Sequence, residues 1–236
     1  MEFDLYFQSV EEEINRKNES MFVLSSDSED TFWSYAFSKL QKKDISELKS
    51  ASNFAKNLKS IDPNHPSSKA YFIHAIRVAT HTLASLKKPN VEIVKMAMIH
   101  NVFEITGLSR LELAQAGFSD YIIDAIELQT VDRSRQFDED YLLDYYSSIK
   151  SFGKGLMFLR CMDKLDNLLA FELIADGSIR TNWLKNTHDH VIPMAYLLDE
   201  KFGSYFSGVF DYIEKRGCIE SKRLEFDELQ KTRAIN

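Results

Sequence analysis

Glycine and proline are scarce in this chain, 8 and 4 in 236 residues, which leaves little material for the many tight turns of an all-β fold. There are two cysteines, Cys161 and Cys218. They have no paired spacing, so a disulfide framework or a cysteine zinc knuckle has no support and a reducing compartment fits best. Positive charge is also short. Lys and Arg number 29 against 36 Asp and Glu, a formal net charge of −7, with no excess to neutralise a nucleic-acid backbone. No apolar run approaches the length of a membrane helix, and Glu11, Glu12 and Glu13 stand where a signal peptide would be basic. The expectation is a cytoplasmic protein with neither a nucleic-acid polymer nor a membrane as partner.

Hydrophobic residues at 44% and charged residues at 28% are ordinary for a globular protein. The length suits one domain with modest appendages. Helical patterning dominates. The polar stretch from Ser25 to Asp30 offers N-caps before a helix ending near Lys43, and a second helix is predicted over Ile45 to Lys59. The cluster from Asp62 to Ser68 then caps a third helix, whose Ile73, Ile76, Ala79, Leu83 and Leu86 form one apolar stripe. Asn90 is a cap for the stretch from Val91 to Ile105, and shorter helices are expected over Leu111 to Ala116 and Ser119 to Leu128. A polar interruption covers Thr130 to Glu139. A long helix is expected from Gly155 to Ala175, another through Trp183 to Leu198, and an amphipathic one with Phe206, Val209, Phe210 and Ile213. Residues 1–44 are expected as an extension with one helix, 45–200 as the main domain, and 201–236 as a helical extension packed on it or trailing it. Residues 1–9 carry no functional reading.

Within these apolar helices a few polar groups need a reason. Ile93, Ala97, His100 and Glu104 fall at helical spacing, which sets an imidazole and a carboxylate one turn apart on an apolar face. Asp163 lies in a stripe of Leu156, Leu159, Asn167 and Ala170, where an uncompensated carboxylate is costly. His74 flanks the third helix. Two imidazoles and a carboxylate are what one divalent metal would take, although either histidine alone reads as a core residue bonded to backbone. His81, two turns beyond His74, is expected at the surface and outside any shared site. His188 and His190 are read as structural or exposed.

Taken together, Tyr71 to Ala79 around His74, Ala97 to Glu104 around His100-Asn101, and Asp163 to Leu168 resemble the HD-domain superfamily, and by pattern the hydrolase domains of RelA/SpoT-type alarmone enzymes. Three ordered motifs across residues 45 to 200 carry the resemblance. It implies an all-α HD-domain bundle and a divalent metal, usually manganese, held by His74, His100, Asn101 and Asp163. It further implies Glu104 as the catalytic acid or base and Asn167 as a holder of substrate. Arg77 and Lys164 read either as contacts to substrate phosphate or as members of structural ion pairs, and Glu104 reads either as a metal-site acid or as the salt-bridge partner of Arg77. The implied activity is hydrolysis of a phosphorylated small molecule, a nucleotide or alarmone among the choices, with a homo-oligomer open.

Three departures weaken the match. Asn101 stands for the family's aspartate ligand, Ile105 for the second acid of the catalytic pair, and His65-Pro66 for a basic Arg-Lys pair. An amide oxygen can ligate but brings no charge. The alternative function is therefore a catalytically degenerate module that binds a nucleotide or regulates.

Overall fold

The computed structural model describes residues 1–4, 9–20, 26–61, 68–175 and 177–234. It is all-α. The helices are α1 Val10–Ser20, α2 Ser26–Lys39, α3 Lys42–Lys56, α4 Ser68–Ala84, α5 Val91–Ile99, α6 Val102–Ile105, α7 Arg110–Gln115, α8 Asp120–Gln129, α9 Glu139–Phe152, α10 Lys154–Leu168, α11 Ser178–Asn186, α12 Ile192–Leu198, α13 Glu200–Arg216 and α14 Glu220–Ala234. A 3₁₀ turn, Phe171–Leu173, follows α10, and a π-helical turn, Thr187–Val191, joins α11 to α12. The described residues contain no strand, only an isolated bridge between Phe3 and Leu86. None of their helices is long and apolar enough to cross a membrane.

Local sequence explains several helix starts. Asn90 accepts from the backbone of Glu92, Ser109 and Glu112 form a reciprocal capping box, and Ser119 and Asp138 accept from Ile122 and Tyr141. Pro193 explains the π turn. It lies in the first turn of α12 and cannot donate to a carbonyl in the turn before it, and a widened turn there removes the demand. Helices α4, α5 and α10 pack directly on one another. Their inner faces bring Ile76, Ala79, Val94, Met98, Leu159 and Met162 into a continuous core.

Two expectations are corrected, for residues 1–44 and for the helix after Gly155. Residues 1–44 hold two helices rather than one, because the Ile14 face of α1 is buried in the core. The polar interruption expected over Thr130 to Glu139 is a loop that ends where α9 starts, and α9 turns Leu142, Tyr145, Tyr146 and Ile149 inward. The helix expected from Gly155 to Ala175 stops at Leu168 and passes into the 3₁₀ turn. Of the two arrangements expected for the C-terminal helices, they pack on the main body: buried Glu172 binds Arg216 Nε at 2.7 Å, Lys222 Nζ at 2.8 Å and Asn18 Nδ2 at 2.6 Å. The expected cap cluster at 62–67, with His65-Pro66, lies outside the described residues, as does Ser25.

Helices α12 and α13 meet at Gly203, where an added Cβ would come within 2.4 Å of the Tyr196 ring and 2.8 Å of its Cα. The backbone contact cannot rotate away. Gly203→Ala should lower stability by about 1–3 kcal/mol, read from urea midpoints.

Candidate metal centre

His74 and Arg77 project from α4, His100 follows the last residue of α5, and Asp163, Asp166 and Asn167 lie on the last two turns of α10. The side chains converge. His74 Nε2 lies 3.0 Å from His100 Nε2, and Asp163 Oδ1 lies 3.4 Å from the first and 3.5 Å from the second. Among the described residues these three form the group of His, Cys, Asp or Glu side chains able to share an ion, with ligand atoms within 4.8 Å of one another. His100 and Asp163 are buried, and His74 is partly so.

The other ring nitrogens reveal what the cluster needs. His100 Nδ1 lies 2.8 Å from the Ala97 carbonyl, which can only accept, so Nδ1 carries the hydrogen. His74 Nδ1 lies 2.7 Å from Asp166 Oδ2 and donates to it. In the neutral rings both Nε2 atoms then present lone pairs to each other and to a carboxylate oxygen. Three acceptors so close repel unless a proton or a metal cation sits among them. Ligands about 2.1 Å from an ion at tetrahedral or octahedral angles are about 3.0–3.4 Å apart, close to the separations seen here. The donor set fits a divalent ion with nitrogen and oxygen ligands.

Asp166 supports the cluster from behind. It is fully buried and receives His74 Nδ1, Arg77 Nε at 2.9 Å, Arg77 Nη2 at 3.2 Å and Lys17 Nζ at 3.0 Å. Lys17 also donates to the Asp166 carbonyl. Burial alone would raise the Asp166 pKa, yet Arg77, Lys17 and His74 hold it well below the ordinary carboxylate value. Asp163 is held low in the same way, by His100, His74 and Arg160 against burial. Burial pulls the Lys17 ammonium down to about 8. The His74 pKa is lowered by burial but raised more by Asp163 and Asp166, and ends above its usual value.

The expectation for His81 is overturned: it is buried, with Nε2 3.6 Å from Asp166 Oδ1. His74, Arg77 and His81 follow one helical stripe, and that stripe faces α10. The continuous helix from Val91 to Ile105 is also overturned. It breaks at Asn101, whose φ is −108° and ψ 15°. In an unbroken helix Asn101 N–H would donate to Ala97, but that carbonyl holds His100, and Asn101 N–H donates instead to the Tyr71 hydroxyl at 2.9 Å. Glu104 is thereby turned away from the triad, paired with Arg133 and accepting from Val131 N–H at 3.3 Å. Arg77 pairs with Asp166 rather than with Glu104.

A cavity of about 370 Å³ opens beside the triad, lined by His74, Asn101, Glu104, Ile105, Asp163 and Asn167 among others. Asn167 Nδ2 donates to Asp163 Oδ1 at 2.9 Å, and Arg160 Nη1 donates to Asp163 Oδ2 at 2.9 Å. Lys17, Arg77, Arg133, Arg160 and Lys164 line the same space. Even with Asp166 counted beside Glu104 and Asp163, cations exceed carboxylates. Lys164 is buried over the Trp183 ring, 3.5 Å from its centroid, and burial with the nearby Arg160 charge holds its pKa well below the usual lysine value. Sequence reasoning passed over Lys17, Arg160 and the structural part of Asp166. Asp166 had a signal, an acid three residues after Asp163 in an apolar helix, whereas Lys17 had none.

No protein-family model, curated protein or solved structure matches the chain.

Asp166→Asn would leave Lys17, Arg77 and His74 around a neutral amide. Loss of about 3–5 kcal/mol is expected, as for one partner of a buried pair, measured by urea unfolding at pH 7. The pH dependence has a definite sign. Asp163 and Asp166 titrate lower in the folded protein than in the unfolded chain, so the unfolded chain binds more protons on acidification. Their contribution is present above about pH 4 and is lost as pH falls through the folded values, as urea midpoints from pH 7 to 3 will record.

Proposed function

We propose that the chain is a metal-dependent phosphohydrolase of HD type acting on a phosphorylated small molecule. The observation that carries this reading is the meeting of His74 Nε2, His100 Nε2 and Asp163 Oδ1, with each imidazole engaged through Nδ1 so that Nε2 of the neutral ring is turned to ligate. A divalent ion held there, manganese by the family resemblance, would polarise a phosphoryl group and acidify a water. Asn101 lines the same cavity and could add an amide oxygen.

The chain's own residues supply the remainder. Arg77 Nη1 is buried without a hydrogen-bond partner among the described residues and Lys164 has its ammonium over an aromatic face, and both line the cavity. Each offers donors to a phosphate. Glu104 is a carboxylate on the cavity wall fixed by Arg133 and the Val131 amide, and takes or returns the proton in this reading. Asn167 and Arg160 hold Asp163 in its orientation.

A second reading, a binding module with decayed catalysis, rests on Ile105. It is buried, apolar and on the cavity wall, where the resemblance calls for a second acid. Turnover separates the two. Added manganese should give phosphate release from a panel of nucleotides and alarmones, and His100→Ala or Asp163→Ala should cut it at least about 100-fold. Thermal stabilisation by a panel member with no release in any condition would favour the binding module. Asn101→Asp adds the missing ligand charge and should tighten manganese at least about tenfold by calorimetry.

A further inference from the structure

One wall of the cavity belongs to neither the triad nor the family motifs. Asn186 ends α11 where the π turn begins; it is 7% exposed and lines the cavity. Its Oδ1 accepts from the Tyr146 hydroxyl at 2.6 Å. A phenol hydroxyl has one hydrogen, and here Tyr146 gives it to the Asn186 oxygen, so the amide is oriented with its Nδ2 hydrogens away from the tyrosine. None of the described residues accepts from them. The Tyr146 ring is held by His190, stacked at 4.7 Å and 6°, and the π turn before Pro193 carries that histidine.

We propose that Asn186, its amide oriented as a donor by the Tyr146 hydroxyl, forms with Lys164 a subsite for phosphate oxygens of the ligand. Lys164 lines the same cavity, is 3% exposed, and is paired with no carboxylate among the described residues. Two buried, donor-bearing side chains without acceptors face one space, and a phosphate group is the acceptor-only partner that satisfies both. Tyr146 does not touch the ligand. It is a positioning residue that keeps the amide from turning over. The subsite rests on the phosphohydrolase reading for its place beside the triad, but it is tested apart from turnover.

The experiment is calorimetric titration of the metal-free full chain with inorganic pyrophosphate. Wild type should bind. Asn186→Asp, which keeps the acceptor for Tyr146 and turns the cavity face from donor to acceptor, should weaken binding at least tenfold. Asn186→Leu, close in size and uncharged, should weaken it several-fold, and Tyr146→Phe should do so too, since the amide is then free to turn. Circular dichroism selects the folded variants, and Tyr146→Phe decides the matter should both changes at Asn186 prevent folding. Pyrophosphate binding unchanged in folded variants, or absent from wild type, overturns the subsite. The expected losses without phosphate release from any nucleotide uphold the subsite and count against the hydrolase. Manganese-dependent release with unchanged pyrophosphate binding does the reverse.

Discussion

Two imidazole lone pairs and a carboxylate oxygen brought close together among buried side chains repel one another unless a proton or a cation lies between them, and the interior of this protein is arranged around that conflict. The backbone carbonyl of Ala97 and the carboxylate of Asp166 fix the tautomers that create it. Arg160 and Asn167 then pin Asp163 from one side, while Lys17 and Arg77 neutralise Asp166 from the other. Charges so deeply placed are costly unless each has partners. Here the partners come from three helices of the main body and from α1.

The side chains of the centre also shape the backbone that carries them. His100 takes the carbonyl that the next turn of α5 would use, and the helix breaks at Asn101. Pro193 widens a turn between α11 and α12, and the widened turn sets His190 against Tyr146. In both places an irregular turn lies next to the cavity and sets the direction of a side chain there.

Much of this was legible in the residues. The shortage of glycine and proline and the 3.6-residue stripes announced an all-α protein, and His74, His100 and Asp163 stood out as polar groups in apolar faces; the structure brings those three together. The errors have physical causes. Periodicity treated Val91 to Ile105 as unbroken because a helix interrupted by its own side-chain hydrogen bond keeps its apolar spacing. His81 was assigned to the surface because a stripe gives the angle of a side chain but not the neighbour it meets. Lys17 lies in a segment with three consecutive acids and little apolar content, and nothing in such a segment tells that one ammonium will be drawn across the fold to Asp166. Tyr146 and Asn186 were invisible for a related reason: their pairing spans two helices and depends on a turn type that sequence patterns do not encode.

The chain as a whole is acidic, at −7, whereas the cavity wall is rich in Lys and Arg. An approaching anion would thus meet two fields of opposite sign. Far from the surface the mean charge opposes it, and that repulsion fades beyond about 8–10 Å at ordinary ionic strength. Near the mouth the clustered cations take over and low-dielectric walls concentrate their pull. Moderate salt would then hasten arrival by screening the outer barrier while shortening the stay within, so speed of capture and tightness of hold would answer to electrolyte in opposite directions.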